Sequence, residues 1–129
     1  MQHQFIMNGY FWRVQTVPPD SPMLVDRTGT WTGATTDPDT QCVYLSDELE
    51  GSFLNRVLLH ELGHVVMLSY GLILSIRANL PQDLWIPAEE WCCNLIADYG
   101  EEIFAKAHAI LGDHAWSFVP NEMAKIVNK

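Results

Sequence analysis

The apolar and polar positions change period along the chain, and the change predicts a β-rich start followed by helices. Gln4-Phe5-Ile6-Met7 and the run from Tyr10 to Val17 flank Asn8-Gly9. Asn-Gly is a strong hairpin signal, because a type I′ turn needs positive φ at both central residues. Pro18-Pro19-Asp20 and Ser21-Pro22 end the second strand and open a loop. Residues 28–36, rich in Thr and Gly around Trp31, read as an irregular third strand, and Asp37-Pro38-Asp39 as a turn. Residues 41–46 form a short β-type run with Cys42 and Tyr44 on one face and Val43 and Leu45 on the other.

From Asp47 onward the apolar spacing becomes helical. A helix is expected to start between Asp47 and Ser52, Asp47 with Glu50 three residues on suggests a capping box, and the helix is expected to end near Tyr70 with Gly71 beyond it. Leu72 to Leu80 predicts a short second helix. Pro81 and Pro87 bracket a turn holding Trp85, with Pro87 in the first turn of a third helix. That helix carries Glu89 and Glu90 near its start, then Trp91, Leu95, Ile96, Ile103 and Phe104, and Gly100 inside it predicts a kink or break. Residues 120–127 suggest a last short helix. The expected fold is α+β in a single domain spanning residues 1–129, with no repeats or linkers.

Composition narrows the function classes. Apolar content of 48% is that of a globular chain, and 7 basic against 16 acidic residues give a net charge of −9. That charge argues against direct nucleic-acid binding and favours a basic partner. Met1-Gln2-His3-Gln4 lacks a charged region followed by an apolar stretch, so no secretion signal is visible. Three cysteines, two of them adjacent at 92 and 93, make a poor disulfide framework. Cytoplasmic residence is the expectation. Residues 57–76 have about the length of a membrane span, but two His and a Glu within them would be costly in lipid.

The chemistry is concentrated in His60-Glu61-Leu62-Gly63-His64. Residues four apart on a helix lie one turn above each other, so both imidazoles can reach one zinc ion. Glu61 then stands beside the ion, placed as the general base for an attacking water. Chance matches fall in random contexts, whereas this one is flanked by apolar runs that predict burial nearly all round, where unpaired His and Glu would be costly. Gly63 lets another element approach the helix closely.

A catalytic zinc site uses three protein ligands. Met67 and Tyr70 stand where the extended metzincin motif requires glycine and histidine, which excludes that branch. A downstream glutamate is the alternative. Glu90 shares a helical face with Asn94 and Ala97, a face suited to approach the motif helix, with Asn94 placed to hydrogen-bond a ligand imidazole. Glu89 shares its face with Cys93 and Ile96, which read as core. Glu90 is therefore favoured as third ligand, with Glu89 the alternative. Cys92 and Cys93 read as small core residues rather than ligands.

His60-Glu61-Leu62-Gly63-His64 followed by Glu89-Glu90-Trp91-Cys92-Cys93-Asn94-Leu95-Ile96-Ala97 resembles the ImmA/IrrE-type metallopeptidases and related small zinc peptidases of bacterial prophages. In that family a Glu-x-x-x-Asn helix with a small residue three further on follows the motif helix, positions that here are Glu90, Asn94 and Ala97. The resemblance spans residues 41–110. It implies a minimal gluzincin-like domain, a short twisted antiparallel or mixed sheet packed on two zinc-bearing helices. It also implies hydrolysis of a peptide bond in a repressor-type regulatory protein of a prophage or mobile element. The N-terminal hairpin departs from larger members, which have a helix there, and no helix-turn-helix segment is present. The competing expectation is a catalytically silent zincin-like module acting by protein–protein interaction. An extended substrate peptide would pair with an exposed strand, residues 41–46 or 28–36. Tyr70, Tyr99, His108 and His114 are the candidate oxyanion donors, none of them singled out, and His3 reads as a plain terminal residue.

Overall fold

The computed structural model describes residues 2–117. They form two compact units that meet in sequence between Asp98 and Tyr99. The first is α+β, with a four-stranded mixed sheet of strands β1 (Gln2–Met7), β2 (Tyr10–Val17), β3 (Ala34–Asp37) and β4 (Cys42–Ser46). Its helices are α1 (Gly51–Ser69), α2 (Leu72–Asn79) and the start of α3 (Trp85–Leu111).

β1 and β2 form the expected hairpin, with Asn8 at φ 48° and Gly9 at φ 80° as a type I′ turn demands. The sheet order is β1-β2-β4-β3, with β4 parallel to β2 and antiparallel to β3. β4 is thus interior and cannot offer the free edge that its sequence suggested. β3 is an edge strand, and it is shorter than expected because residues 28–33 belong to the loop before it. That loop closes through a single bridge between Val25 and Trp31.

The two-faced reading of β4 holds. Val43 and Leu45 pack with Trp12, Val14, Ala34 and Val65, and Leu54, Leu58, Leu62 and Leu68 of α1 cover this cluster. Cys42 and Tyr44 pack on the other face with Val17 and Leu24. The hairpin is pinned to the end of α1: Trp12 Nε1 donates to Ser69 Oγ at 2.9 Å and Asn8 Nδ2 to the Ser69 carbonyl at 2.8 Å.

α1 starts within the expected span, at Gly51, but without the capping box. Its N-cap is Glu50, with no side-chain cap, and Asp47 instead sends its backbone N–H to the Val17 carbonyl, finishing the β4 ladder. At the far end Gly71 takes the left-handed conformation (φ 70°), and α2 leaves at 79° to α1. Among the described residues no single helix is long and apolar enough to cross a membrane, although this bent pair passes by length and composition together. Trp85 Nε1 donates to the Leu80 carbonyl across the turn into α3. α3 runs helical through Gly100 without the expected break.

In the second unit, α3 from Tyr99 leads into a 3₁₀ turn, Gly112–Trp116, where the Phe104 and Trp116 rings lie 4.6 Å apart. The short helix expected at residues 120–127 lies outside the described residues.

Candidate metal centre

Three elements of the first unit build the site: α1 brings His60, Glu61 and His64, the first turns of α3 bring Glu89 and Glu90, and β3 brings Thr36. The helices can approach because Gly63 has no side chain. A Cβ there would stand 3.1 Å from Cys93 Sγ and 3.3 Å from Cys93 Cα. The expectation for Gly63 thus describes its role, and the face of α3 that comes close is the one through Glu89 and Cys93. This corrects the assignment of the close approach to the Asn94 and Ala97 face. Asn94 is exposed and accepts from Arg56 Nη2 at 3.4 Å, while Arg56 Nε also donates to Asp98 at 2.7 Å. Neither imidazole uses Asn94.

His60 and His64 turn their Nε2 atoms to a common point, 3.2 Å apart, with ring planes at 71°. Glu90 Oε2 lies 2.9 Å from His60 Nε2, and its Oε1 lies 3.4 Å from His64 Nε2. One ligand atom from each of these three residues falls within 4.8 Å of the others. Ligands about 2.0–2.1 Å from a tetrahedral zinc stand about 3.3–3.4 Å apart. Two imidazoles and a carboxylate at this spacing suit zinc in geometry and in donor type, and leave a fourth position open.

The second glutamate sits behind these three donors. His64 Nδ1–H donates to Glu89 Oε2 at 2.5 Å, the orientation that a carboxylate gives a ligating histidine. His60 Nδ1 is buried and has no such partner among the described residues. Burial works against a positive His64, but hydrogen bonds with Cys93, Glu89 and Glu90 outweigh it and push its pKa up to about 12. Glu90 is held far below the carboxylate range, first by His60 and then by His64. Burial would raise Glu89, yet hydrogen bonds from His64 and Arg27 pull it down. Burial raises the Cys93 thiol, which fits a small packing residue rather than a thiolate ligand.

Glu61 is buried, and its Oε2 accepts from Thr36 Oγ1 at 2.6 Å. Arg27 Nη1 donates to Glu89 Oε1 at 2.9 Å, and its Nη2 to Glu90 Oε1 at 3.1 Å. Sequence reasoning missed both Thr36 and Arg27. Neither carries a local motif, and only the sheet register and the fold of the loop bring them here. The two histidines, the three glutamates, Thr36 and Arg27 all line one cleft of about 700 Å³ that runs along β3. Of the candidate oxyanion donors, Tyr70 is the exposed C-cap of α1, and Tyr99, His108 and His114 belong to the second unit. His108 Nε2 lies 3.2 Å from Asp113. His3 is exposed on β1.

Comparison with protein-family models, with curated proteins and with solved structures finds no match to this chain.

Proposed function

We propose that this chain is a zinc metalloendopeptidase with a zincin-like fold, akin to the ImmA/IrrE-type enzymes. It would act in the cytoplasm on a basic, repressor-type protein of a prophage or mobile element. The reading rests on one observation: His60 Nε2, His64 Nε2 and a Glu90 oxygen converge within 4.8 Å beside the buried Glu61.

His60, His64 and Glu90 would hold the ion. Zinc bound there supplies a Lewis acid for the scissile carbonyl and lowers the pKa of water toward about 7. Glu61 receives the proton of the attacking water and delivers it to the departing amide nitrogen. The Thr36 hydroxyl fixes one Glu61 oxygen and leaves the other for that transfer. Glu89 holds the His64 ring in position. A peptide laid in the cleft adds to the free edge of β3, with main-chain hydrogen bonds setting its path past Glu61. The net charge of −9 suits a basic substrate.

The test has two stages. Protein purified without added zinc is expected to carry about one equivalent, and His60→Ala to lose it. Zinc-loaded protein is then incubated with a proteome-derived peptide library and with the repressor encoded nearest to it, and products are read by mass spectrometry. Wild type should cleave, while Glu61→Gln should keep its zinc and lose activity about 10²–10⁴-fold. Zinc bound by both proteins with cleavage by neither would identify the silent, partner-docking module instead.

A further inference from the structure

Among the described residues, Arg27 is the only arginine or lysine lining the large cleft, and it comes from a loop that is fixed on both sides of it. Asp26 Oδ1 accepts from the backbone N–H groups of Thr28 (2.8 Å) and Thr30 (3.0 Å) and from the Thr28 hydroxyl (2.6 Å). The Asp26 N–H donates to the Thr30 carbonyl, and the Gly29 N–H to the Asp26 carbonyl. The loop therefore presents Arg27 from a closed turn rather than from a free strand of chain.

Consecutive residues on a helix point about 100° apart and do not face each other. Glu89 and Glu90 are nonetheless joined, because one guanidinium reaches Oε1 of each. This divides their oxygens. Glu89 Oε2 is left for His64 Nδ1, and Glu90 Oε2 for the side facing His60 Nε2, with Glu90 Oε1 shared between Arg27 and a longer approach to His64. The charges divide as well: zinc and Arg27 together would balance the three carboxylates of Glu61, Glu89 and Glu90.

We propose that Arg27 is a positioning residue of the metal site, a brace that makes Glu90 bind through one oxygen and keeps Glu89 behind His64. The proposal deepens the zinc reading and rests on it. Two divergent carboxylates need two donors in a rigid fork, so arginine is required where lysine offers only a point charge. Without the brace, Glu90 is free to offer both oxygens, which adds a ligand to the ion, and Glu89 is free to leave His64.

The experiment is titration of metal-free protein with zinc and, separately, with cobalt(II), whose visible spectrum reports coordination number. Arg27→Ala is expected to weaken zinc about 10–100-fold, the cost typical of losing a group that supports a metal ligand. Its cobalt bands should lose intensity and shift, as they do when a four-coordinate ion gains a ligand. Arg27→Lys should remain closer to Arg27→Ala than to wild type. Circular dichroism of the metal-free forms checks folding, and Arg27→Gln carries the same expectation if the alanine variant does not fold. Wild type that binds neither metal overturns the zinc reading and this inference together. Wild type that binds, with Arg27→Ala within twofold of it and an unchanged cobalt spectrum, overturns this inference alone, as does full recovery in Arg27→Lys.

Discussion

β4 and α3 lie near the same cleft and are held in opposite ways. All five residues of β4 are buried, on both faces of the sheet. α3 is 27 residues long and buries only Glu89 and Cys93. The strand is fixed by apolar area, which is indifferent to what the cleft contains. The start of the helix is held by one close approach at Gly63, by polar groups that also serve the metal site, and by the half-exposed Arg56–Asp98 ion pair beside them. β4 thus serves the fold and the start of α3 the chemistry, while α1 serves both, so damage to β4 and damage to the start of α3 should differ in effect.

The largest test of that difference is Leu45→Ala, which empties a fully buried position in the sheet. It should cost about 2–5 kcal/mol of global stability, read by urea unfolding with tryptophan fluorescence, while the folded fraction keeps its zinc affinity. A matching loss of affinity would break the comparison. Next is Gly63→Ala, whose Cβ must displace the backbone of Cys93 as well as its sulfur. About 1–3 kcal/mol is expected, now with weakened zinc binding, because Glu89 and Glu90 move with their helix. Adding Cys93→Ala should recover only part of this in a double-mutant cycle, since the main chain at position 93 still stands in the way.

The third effect depends on pH. With its pKa pushed up, His64 carries a proton in the metal-free protein at neutral pH, and zinc must displace it. Zinc affinity should therefore rise about tenfold per pH unit between about pH 7 and 8, with release of about one proton per ion by calorimetry in buffers of different ionisation heat. Metal-free stability has the opposite dependence in this range. The raised His64 contributes fully below its unfolded value of 6.5 and progressively less above it. The lowered Glu89 and Glu90 contribute above 4.5 and lose that contribution as pH falls through their folded values. These three groups place the metal-free optimum between 4.5 and 6.5, and zinc should move it upward. The smallest effect belongs to Trp91→Ser: at 67% exposure on α3, it should change stability by no more than about 0.5 kcal/mol.

The same contrast explains what can be read in the sequence. The two faces of β4 are legible, because alternation of period two encodes them locally, although its start falls at Cys42 and Gln41 before it takes a positive φ. The Asn8-Gly9 turn and the end of α1 at Gly71 are legible for a similar reason, each being set by φ within one or two residues. The parallel pairing of β2 with β4, and hence the interior place of β4, depends on contacts that no local pattern records. At the site, the motif on α1 is legible because its spacing is intrinsic to one helix. The face of α3 is harder to choose. The close approach of Gly63 to Cys93 turns Cys93 inward and Asn94 outward, so Asn94 meets Arg56 and Glu89 takes the position behind His64. Cys93 reads correctly as core, but core here is the close approach itself. Thr36 and Arg27 lie outside any motif, since the edge strand and the closed loop position them only once the fold exists.

Ser69 ends α1 with two hydrogen bonds whose partners are far away in sequence, 57 residues for Trp12 and 61 for Asn8. Closing such distances is an entropic cost that a helix does not meet while it winds, since its own contacts are local. α1 can therefore gain its helical turns early, but its far end is anchored only after the first hairpin has come back to it. The expected consequence is an order of assembly, in which protection of the Trp12 and Asn8 side-chain contacts in a refolding experiment lags the helical signal.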